Sequence, residues 1–331
     1  MKRIAVLGGG AWGTALAELA VRQGCQTRLW ARNPAVVADI LERRENGLYL
    51  PGQQLSPTLA PTGDLGEALA EAEAALVAIP TQYLRDGLAK ASAHLSKNCL
   101  TVLCCKGIEL DSGLLPQQVL AEALGPQPSA TLSGPTFARE VAAGLPAAAT
   151  LASQHREATQ ALGEALGGGS FRPYFSRDLI GVELGGALKN VVAIACGIVE
   201  GLGLGENAKA ALLTRGLAEM ARLAAAMGAE RETLMGLSGI GDLALTCGSA
   251  ASRNFSFGLA LGGGRTAAEI LESRSAVTEG AATCAAALTL AGRHDVEMPI
   301  AAAVDAVVNK DAALEACIED LLRRPLRAEK E

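Results

Sequence analysis

The 331-residue chain is half apolar and 19% charged, with 29 Lys and Arg against 35 Asp and Glu for a net charge of −6. That length suits two domains with substantial cores. The acidic balance excludes recognition of nucleic acid or an anionic membrane through bulk charge, while leaving room for a small anionic ligand held by a local cluster of cations. The eight cysteines form no C-x-x-C pair and the three histidines stand alone. No zinc or iron–sulfur site is therefore expected, and the thiols read as reduced core residues of a cytoplasmic protein.

Residues 3–7 (RIAVL) predict a strand. A secretion leader would need an apolar run of roughly 7–15 residues, and this one stops at Gly8-Gly9-Gly10. A helix follows over 14–22, then a strand over 26–31. Short apolar runs at 75–80 and 100–105 predict buried strands; 129–132, 147–152 and 171–175 carry weaker strand signals. Helical patterns fall at 34–44, 64–72, 82–93, 114–124 and 136–143. Alternating short strands and helices predict an α/β domain with a parallel sheet covered on both faces. Beyond about residue 180 the pattern becomes Ala- and Leu-rich helix throughout, including 181–200, 207–227, 239–247, 255–261 and 278–292. Two domains are expected: a dinucleotide-binding domain of Rossmann type over 1–180, and an all-helical domain over 181–331 that carries substrate and catalytic groups. The apolar stretch 184–200 contains Lys189 and ends in Glu200, so a buried helix is expected there and not a membrane span.

Gly8-x-Gly10-x-x-Gly13 lies between the first strand and the first helix. In that context the three glycines allow, in turn, a tight turn, approach of a pyrophosphate to the backbone, and close packing of helix on strand. The second strand ends in Trp30-Ala31-Arg32-Asn33 without a carboxylate for a ribose 2′-hydroxyl. Arg32 could instead receive a 2′-phosphate, or be a solvated surface arginine. The expected cofactor is NADP(H), NAD(H) or both.

Lys106 ends an apolar strand, and Ser133-Gly134-Pro135-Thr136-Phe137-Ala138 follows another. Both lie where such sheets bind ligands. Lys189 sits in a helix whose neighbouring turns offer Gly185, Gly186, Val192 and Ala193. A partly desolvated ammonium there would have a lowered pKa suited to proton transfer, unless it snorkels to water. Asp242 follows Gly239-Ile240-Gly241 and could pair with a lysine or cap a helix. Ser252-Arg253-Asn254 could hold phosphate oxygens or be a polar loop. Motifs for a serine-hydrolase elbow, a P-loop and a zinc protease are absent from the sequence.

Taken together, GGGAWGTALA (8–17), LCCKGIE (103–109), LSGPTFAREVAAGLP (132–146), GVELGGALKNVVAIACG (181–197), LTRGLAEM (213–220), GLSGIGDLALTC (236–247) and SRNFSFG (252–258) resemble the bacterial-type NAD(P)-dependent glycerol-3-phosphate dehydrogenase family. The resemblance implies a Rossmann domain followed by a helical domain. It also implies reversible reduction of dihydroxyacetone phosphate to sn-glycerol 3-phosphate, a step that feeds phospholipid synthesis. It assigns proton transfer to Lys189. It assigns substrate contacts to Lys106, Gly134, Thr136, Asp242, Ser252, Arg253 and Asn254. Cofactor contacts fall on Gly8, Gly10, Ala11, Trp12, Gly13, Arg32, Lys106, Ala138, Arg253, Val277 and Glu279. The sequence departs from the family at Ala11, where a serine hydroxyl is common, and at Phe255 and Ser256, where more polar or basic residues are expected. The partner expected is a phosphorylated three-carbon molecule, with a homodimer compatible with the apolar helical half. Two other readings stay open from the residues alone: a dehydrogenase of non-phosphorylated β-hydroxy acids on the same plan, and a non-catalytic dinucleotide-binding redox sensor.

Overall fold

The computed structural model describes residues 1–272 and 279–325. The first half alternates β1 (Arg3–Leu7), α1 (Ala11–Arg22), β2 (Gln26–Trp30), α2 (Pro34–Arg43), β3 (Ala60–Thr62), α3 (Leu65–Leu69), β4 (Ala74–Val77), α4 (Leu84–Ala91), β5 (Leu100–Leu103), α5 (Pro116–Leu124), β6 (Ser129–Ser133), α6 (Ala138–Ala142), β7 (Ala147–Ala152), α7 (Arg156–Leu166) and β8 (Phe171–Ser176). These strands form one eight-stranded sheet in the order β3-β2-β1-β4-β5-β6-β7-β8. Strands β4 and β5 are buried along their whole length, as centre strands flanked on both faces must be. The order reverses between β1 and β4, whose ends align at Leu7 and Val77, and a crevice for a ligand opens at such a reversal.

One expectation about the sheet needs correction, and one strand was not anticipated. The sheet is not wholly parallel: β7 runs antiparallel to β6, with Leu132 opposite Leu151, and β8 then runs parallel to β7. The link from β6 to β7, residues 134–146, holds only the five-residue α6, and the chain turns back beside β6 instead of crossing over the sheet. Strand β3 escaped the sequence reading because Ala60-Pro61-Thr62 carries a proline. Its place at the sheet edge is where proline is tolerated.

The second half comprises α8 (Leu179–Gly201), α9 (Gly205–Ala226), α10 (Arg231–Leu234), α11 (Asp242–Cys247), α12 (Arg253–Gly262), α13 (Ala267–Glu272), α14 (Glu279–Arg293), α15 (Pro299–Asn309) and α16 (Leu314–Leu322). The pattern read as one helix over 239–247 is broken. Leu237–Gly241 forms a wide turn with Gly239 at φ −97° and ψ −106°, and α11 starts at Asp242. Helix α8 is long and apolar enough to cross a membrane, yet it runs buried through the helical half, with other helices packed around it. Its closest neighbour is α12. A Cβ on Gly258 would collide with the Ile194 carbonyl oxygen, and Cβ atoms on Gly262 and Gly201 would come within 2.5 Å of the carbonyl oxygens of Ile198 and Leu259. Glycines spaced by four on both helices let the two backbones touch. That contact brings the start of α12 against the middle of α8, where Lys189 lies. All eight cysteines are free thiols, seven of them buried.

Candidate active site

The glycine loop is shaped by contacts that admit no side chain at two of its three positions. Gly8 has φ +127°, and a Cβ there would lie 2.8 Å from the Ala78 carbonyl oxygen. A Cβ on Gly13 would run into the Gly8 carbonyl oxygen, whereas one on Gly10 would meet nothing within 4 Å. The open side of the loop is therefore at Gly10, the N-cap of α1, which has no side-chain cap. A pyrophosphate fits this cradle: free space beside Gly10 and the N–H groups of Gly10, Ala11 and Trp12 at the positive end of a twelve-residue helix. The loop is held from behind by Asn46, which is fully buried. Its Nδ2 donates to the Gly9 carbonyl at 2.9 Å and to Thr14 Oγ1 at 2.8 Å, while its Oδ1 accepts from the Tyr49 N–H. Nothing in the local sequence singled out this asparagine, which lies in a loop remote along the chain.

Trp12 donates through Nε1 to the Cys104 carbonyl at 3.1 Å, so the start of α1 is tied to the strand end that precedes Lys106. Arg32 is exposed at the end of β2, its guanidinium 5.9 Å from the Tyr83 ring centre. Asn33 accepts from Ala35 N–H and caps α2.

The two lysines meet on one carboxylate. Lys189 Nζ donates to Asp242 Oδ1 at 2.6 Å, and Lys106 Nζ donates to Asp242 Oδ2 at 2.7 Å. Lys189 also donates to Thr246 Oγ1 at 2.7 Å, and Thr246 Oγ1 donates to the Asp242 carbonyl. Lys106 also donates to the Gly134 carbonyl at 3.1 Å, which accepts from Thr136 Oγ1 at the same distance. Asp242 is thus not a helix cap, since Gly241 holds that position. The small face anticipated on α8 is in close contact. A Cβ on Gly185 would strike the Ser238 carbonyl, and one on Gly186 would lie 2.7 Å from Ser133 Oγ and 3.4 Å from Lys106 Cγ. Thr246 was missed by the sequence reading, although an i,i+4 spacing from Asp242 on a helix was available as a signal.

Burial is the main cause of the shift at Lys189, whose ammonium is pulled down to about 8; Lys106 adds to that fall, while Asp242 and Glu279 oppose it. Glu279 is pushed up by burial, against the pull of Arg253, Lys106 and Lys189. Lys106, Lys189, Arg253, Asp242 and Glu279 therefore share one electrostatic neighbourhood, with one more cation than carboxylate, which suits an anionic ligand.

Ser252 Oγ accepts from the Phe255 N–H and caps α12. Asn254 is buried. Its Nδ2 donates to Asn190 Oδ1 at 2.9 Å and its Oδ1 accepts from Gly280 N–H at 3.0 Å, so it joins α8, α12 and α14. Arg253 is exposed beside Glu279. Of the departures noted in the sequence, Phe255 is a buried core residue and Ser256 Oγ donates to the Ala250 carbonyl; Ala11 is half-buried at the start of α1. Ala138 opens α6, beside the Gly134–Thr136 loop. Val277 lies outside the described residues.

The chain can be set beside known proteins. A family model for the NAD-dependent glycerol-3-phosphate dehydrogenase N-terminus matches residues 3–159, and one for the C-terminus of the same enzymes matches residues 178–319. A glycerol-3-phosphate dehydrogenase [NAD(P)+] of Rhodospirillum rubrum is 54% identical over 326 residues, covering 98% of this chain and 93% of the relative. One of Parvibaculum lavamentivorans is 51% identical over 328 residues, covering 99% and 98%. The crystal structure of glycerol-3-phosphate dehydrogenase from Coxiella burnetii superimposes with a TM-score of 0.94 at 39% identity, covering 98% of this chain and 99% of that one. With a glycine cradle, two lysines on one aspartate and full-length similarity of this degree, the chain belongs to the NAD(P)-dependent glycerol-3-phosphate dehydrogenase family.

Proposed function

We propose that this chain is a glycerol-3-phosphate dehydrogenase that interconverts dihydroxyacetone phosphate and sn-glycerol 3-phosphate with NADP(H) or NAD(H). The observation that carries the reading is the convergence of Lys106 and Lys189 on Asp242, at 2.7 and 2.6 Å, at the carboxyl edge of the sheet. The dinucleotide-binding unit is taken to run to about residue 180 and the substrate unit from 181 onward.

A nicotinamide, when bound, supplies or takes up the hydride. The remaining work falls to this chain. Gly8, Gly10, Ala11, Trp12 and Gly13 would hold the pyrophosphate end of the dinucleotide. Arg32 would hold the ribose or its 2′-phosphate, and Ala138, Val277 and Glu279 are proposed as further cofactor contacts. Lys189, as ammonium, gives its proton to the oxygen at C2 as the carbonyl becomes an alcohol, and as amine takes it back in the reverse direction. Lys106 orients that oxygen and neutralises part of its growing charge. Asp242 keeps both amines in place and Thr246 fixes the Lys189 rotamer. Gly134 and Thr136 shape the floor of the substrate loop, while Arg253 and Asn254 take the phosphate, with Ser252 setting the start of their helix. Binding energy at the phosphate, remote from C2, then orients the reacting carbon.

The central test is Lys189→Ala. Turnover should fall by at least about a hundredfold, as for loss of a general acid, while dinucleotide affinity measured by fluorescence stays close to the parent's. Turnover within a few-fold of the parent would remove Lys189 from the chemistry. Following nicotinamide absorbance with dihydroxyacetone phosphate against a panel of hydroxy and keto acids tests the substrate class. The reading extends to a cytoplasmic protein in which these free thiols stay reduced, and to a supply of phosphorylated glycerol for phospholipid synthesis. It also extends to a homodimer through the helical half, where Leu204, Met235 and Leu259 are exposed. Light scattering tests the last point.

A further inference from the structure

Glu183 carries a buried carboxyl group with no part in the chemistry above; burial pushes it up to about 8, against the pull of its bonds from Thr131 and Gln117. It stands on α8, 4% exposed, and precedes Lys189 by roughly 9 Å along the helix axis at 1.5 Å per residue. Its hydrogen-bond partners lie in the sheet half. The Gln117 N–H donates to Oε1 at 3.1 Å and to Oε2 at 3.3 Å, and Thr131 Oγ1 donates to Oε1 at 2.9 Å. The Gln117 side-chain amide donates in turn to Thr131 Oγ1 at 3.2 Å.

Both partners lead to the site. Thr131 is on β6, three residues before Gly134, whose carbonyl receives Lys106. Gln117 is in the first turn of α5, where N–H groups lack partners within the helix and need an acceptor, which the Glu183 carboxyl supplies. A core contact between α8 and the sheet would need no carboxyl group, and an apolar side chain would avoid the cost of burying a polar one. The directional bonds supply what an apolar contact cannot: they resist sliding of α8 along β6.

We propose that Glu183 is a positioning residue that sets the height of α8 against β6, and so the separation of Lys189 from the Gly134–Thr136 loop. This rests on the reading of Lys189 as the proton-transfer group.

The test uses the full chain with Glu183→Ala, Glu183→Gln, Thr131→Val, the Glu183→Ala/Thr131→Val pair and Lys189→Ala. It measures kcat, KM, dinucleotide affinity by fluorescence, and Tm. Misplacing Lys189 by an ångström should lower kcat of Glu183→Ala about 10- to 100-fold, with dinucleotide affinity held within about twofold. Glu183→Gln keeps an oxygen for the Gln117 N–H and should recover kcat to within about threefold of the parent. Thr131→Val should also lower kcat, and the pair should be no worse than Glu183→Ala alone, as expected for two ends of one bond. If Glu183→Ala does not fold, Thr131→Val and Glu183→Gln decide the matter. A near-parental kcat in Thr131→Val, or a glutamine variant that loses tenfold or more, then overturns the proposal. Where Glu183→Ala folds, it is overturned by a parental kcat, by an equal loss of dinucleotide affinity, by no recovery with glutamine, or by strictly additive losses. The two readings fail separately. Lys189→Ala with high turnover defeats the role of Lys189, whereas an inactive Lys189→Ala beside a fully active Glu183→Ala defeats only the positioning role.

Discussion

Lys189 holds its charge against burial only because Asp242 and Glu279 oppose the desolvation, with Lys106 pushing the other way, and the balance falls at about 8. The proposed reaction then has opposite pH profiles in its two directions. Ketone reduction needs the ammonium, so its rate should be level below about 8 and fall as pH rises through that value. Alcohol oxidation needs the amine and should rise through the same value. Stopped-flow rates across pH 6–10 check this, and parallel profiles in both directions would contradict it. Arg32 makes a second prediction at the same scale. A charge-assisted bond contributes about 1.5–3 kcal/mol, so Arg32→Ala should weaken NADPH binding roughly tenfold or more while NADH binding changes little. Equal weakening of both would mark Arg32 as a surface residue. Arg253→Ala should mainly raise the KM for dihydroxyacetone phosphate, with a smaller change in kcat.

The close pairing of α8 with α12 helps to place the site. Their glycines allow backbone contact, and that contact lets Asn254 reach Asn190, the neighbour of Lys189. Gly258→Ala places a methyl against the Ile194 carbonyl in a region with no room to yield. Overpacking of this kind costs about 1–3 kcal/mol, so Tm should fall by several degrees and kcat with it. Gly292→Ala is the control. It lies near the end of α14 with nothing within 4 Å of an added Cβ, and removing a helical glycine there should be neutral or stabilising by about 0.5–1 kcal/mol. A Gly258→Ala protein as stable as Gly292→Ala would show that the close helix contact does not limit stability.

Across the whole molecule, buried carboxylates tie one element to another. Glu219 on α9 accepts from the Ile300 and Ala301 N–H groups at the start of α15, and burial pushes its carboxyl up from an ordinary 4.5 to about 7. Between those values the folded protein keeps a proton that the unfolded chain has released. The contribution of this group to stability therefore falls as pH rises through that window. Glu219→Gln retains an acceptor without the ionisation. Its Tm relative to the parent should improve from pH 5 to pH 8, and a constant difference would contradict the link. The division of the chain into an alternating strand–helix half and a helical half was legible in the sequence, because periodicity is a local property and hydrophobic burial imposes it residue by residue. The glycine loop was legible for a related reason, since its spacing only makes sense after a strand and before a helix. Other features could not be read locally. The clamp of Asn46 on the Gly9 carbonyl and the bond from Glu183 to Thr131 depend on segments distant in sequence, while the reversal of β7 and the broken turn at Gly239 are changes of chain direction that leave no periodic signal. The sequence by itself determined which residues are able to donate a proton, bear a charge or approach a backbone. Only the tertiary structure decided that Lys106 and Lys189, 83 positions apart, share the two oxygens of Asp242, because that meeting comes from packing the helical half against the carboxyl edge of the sheet.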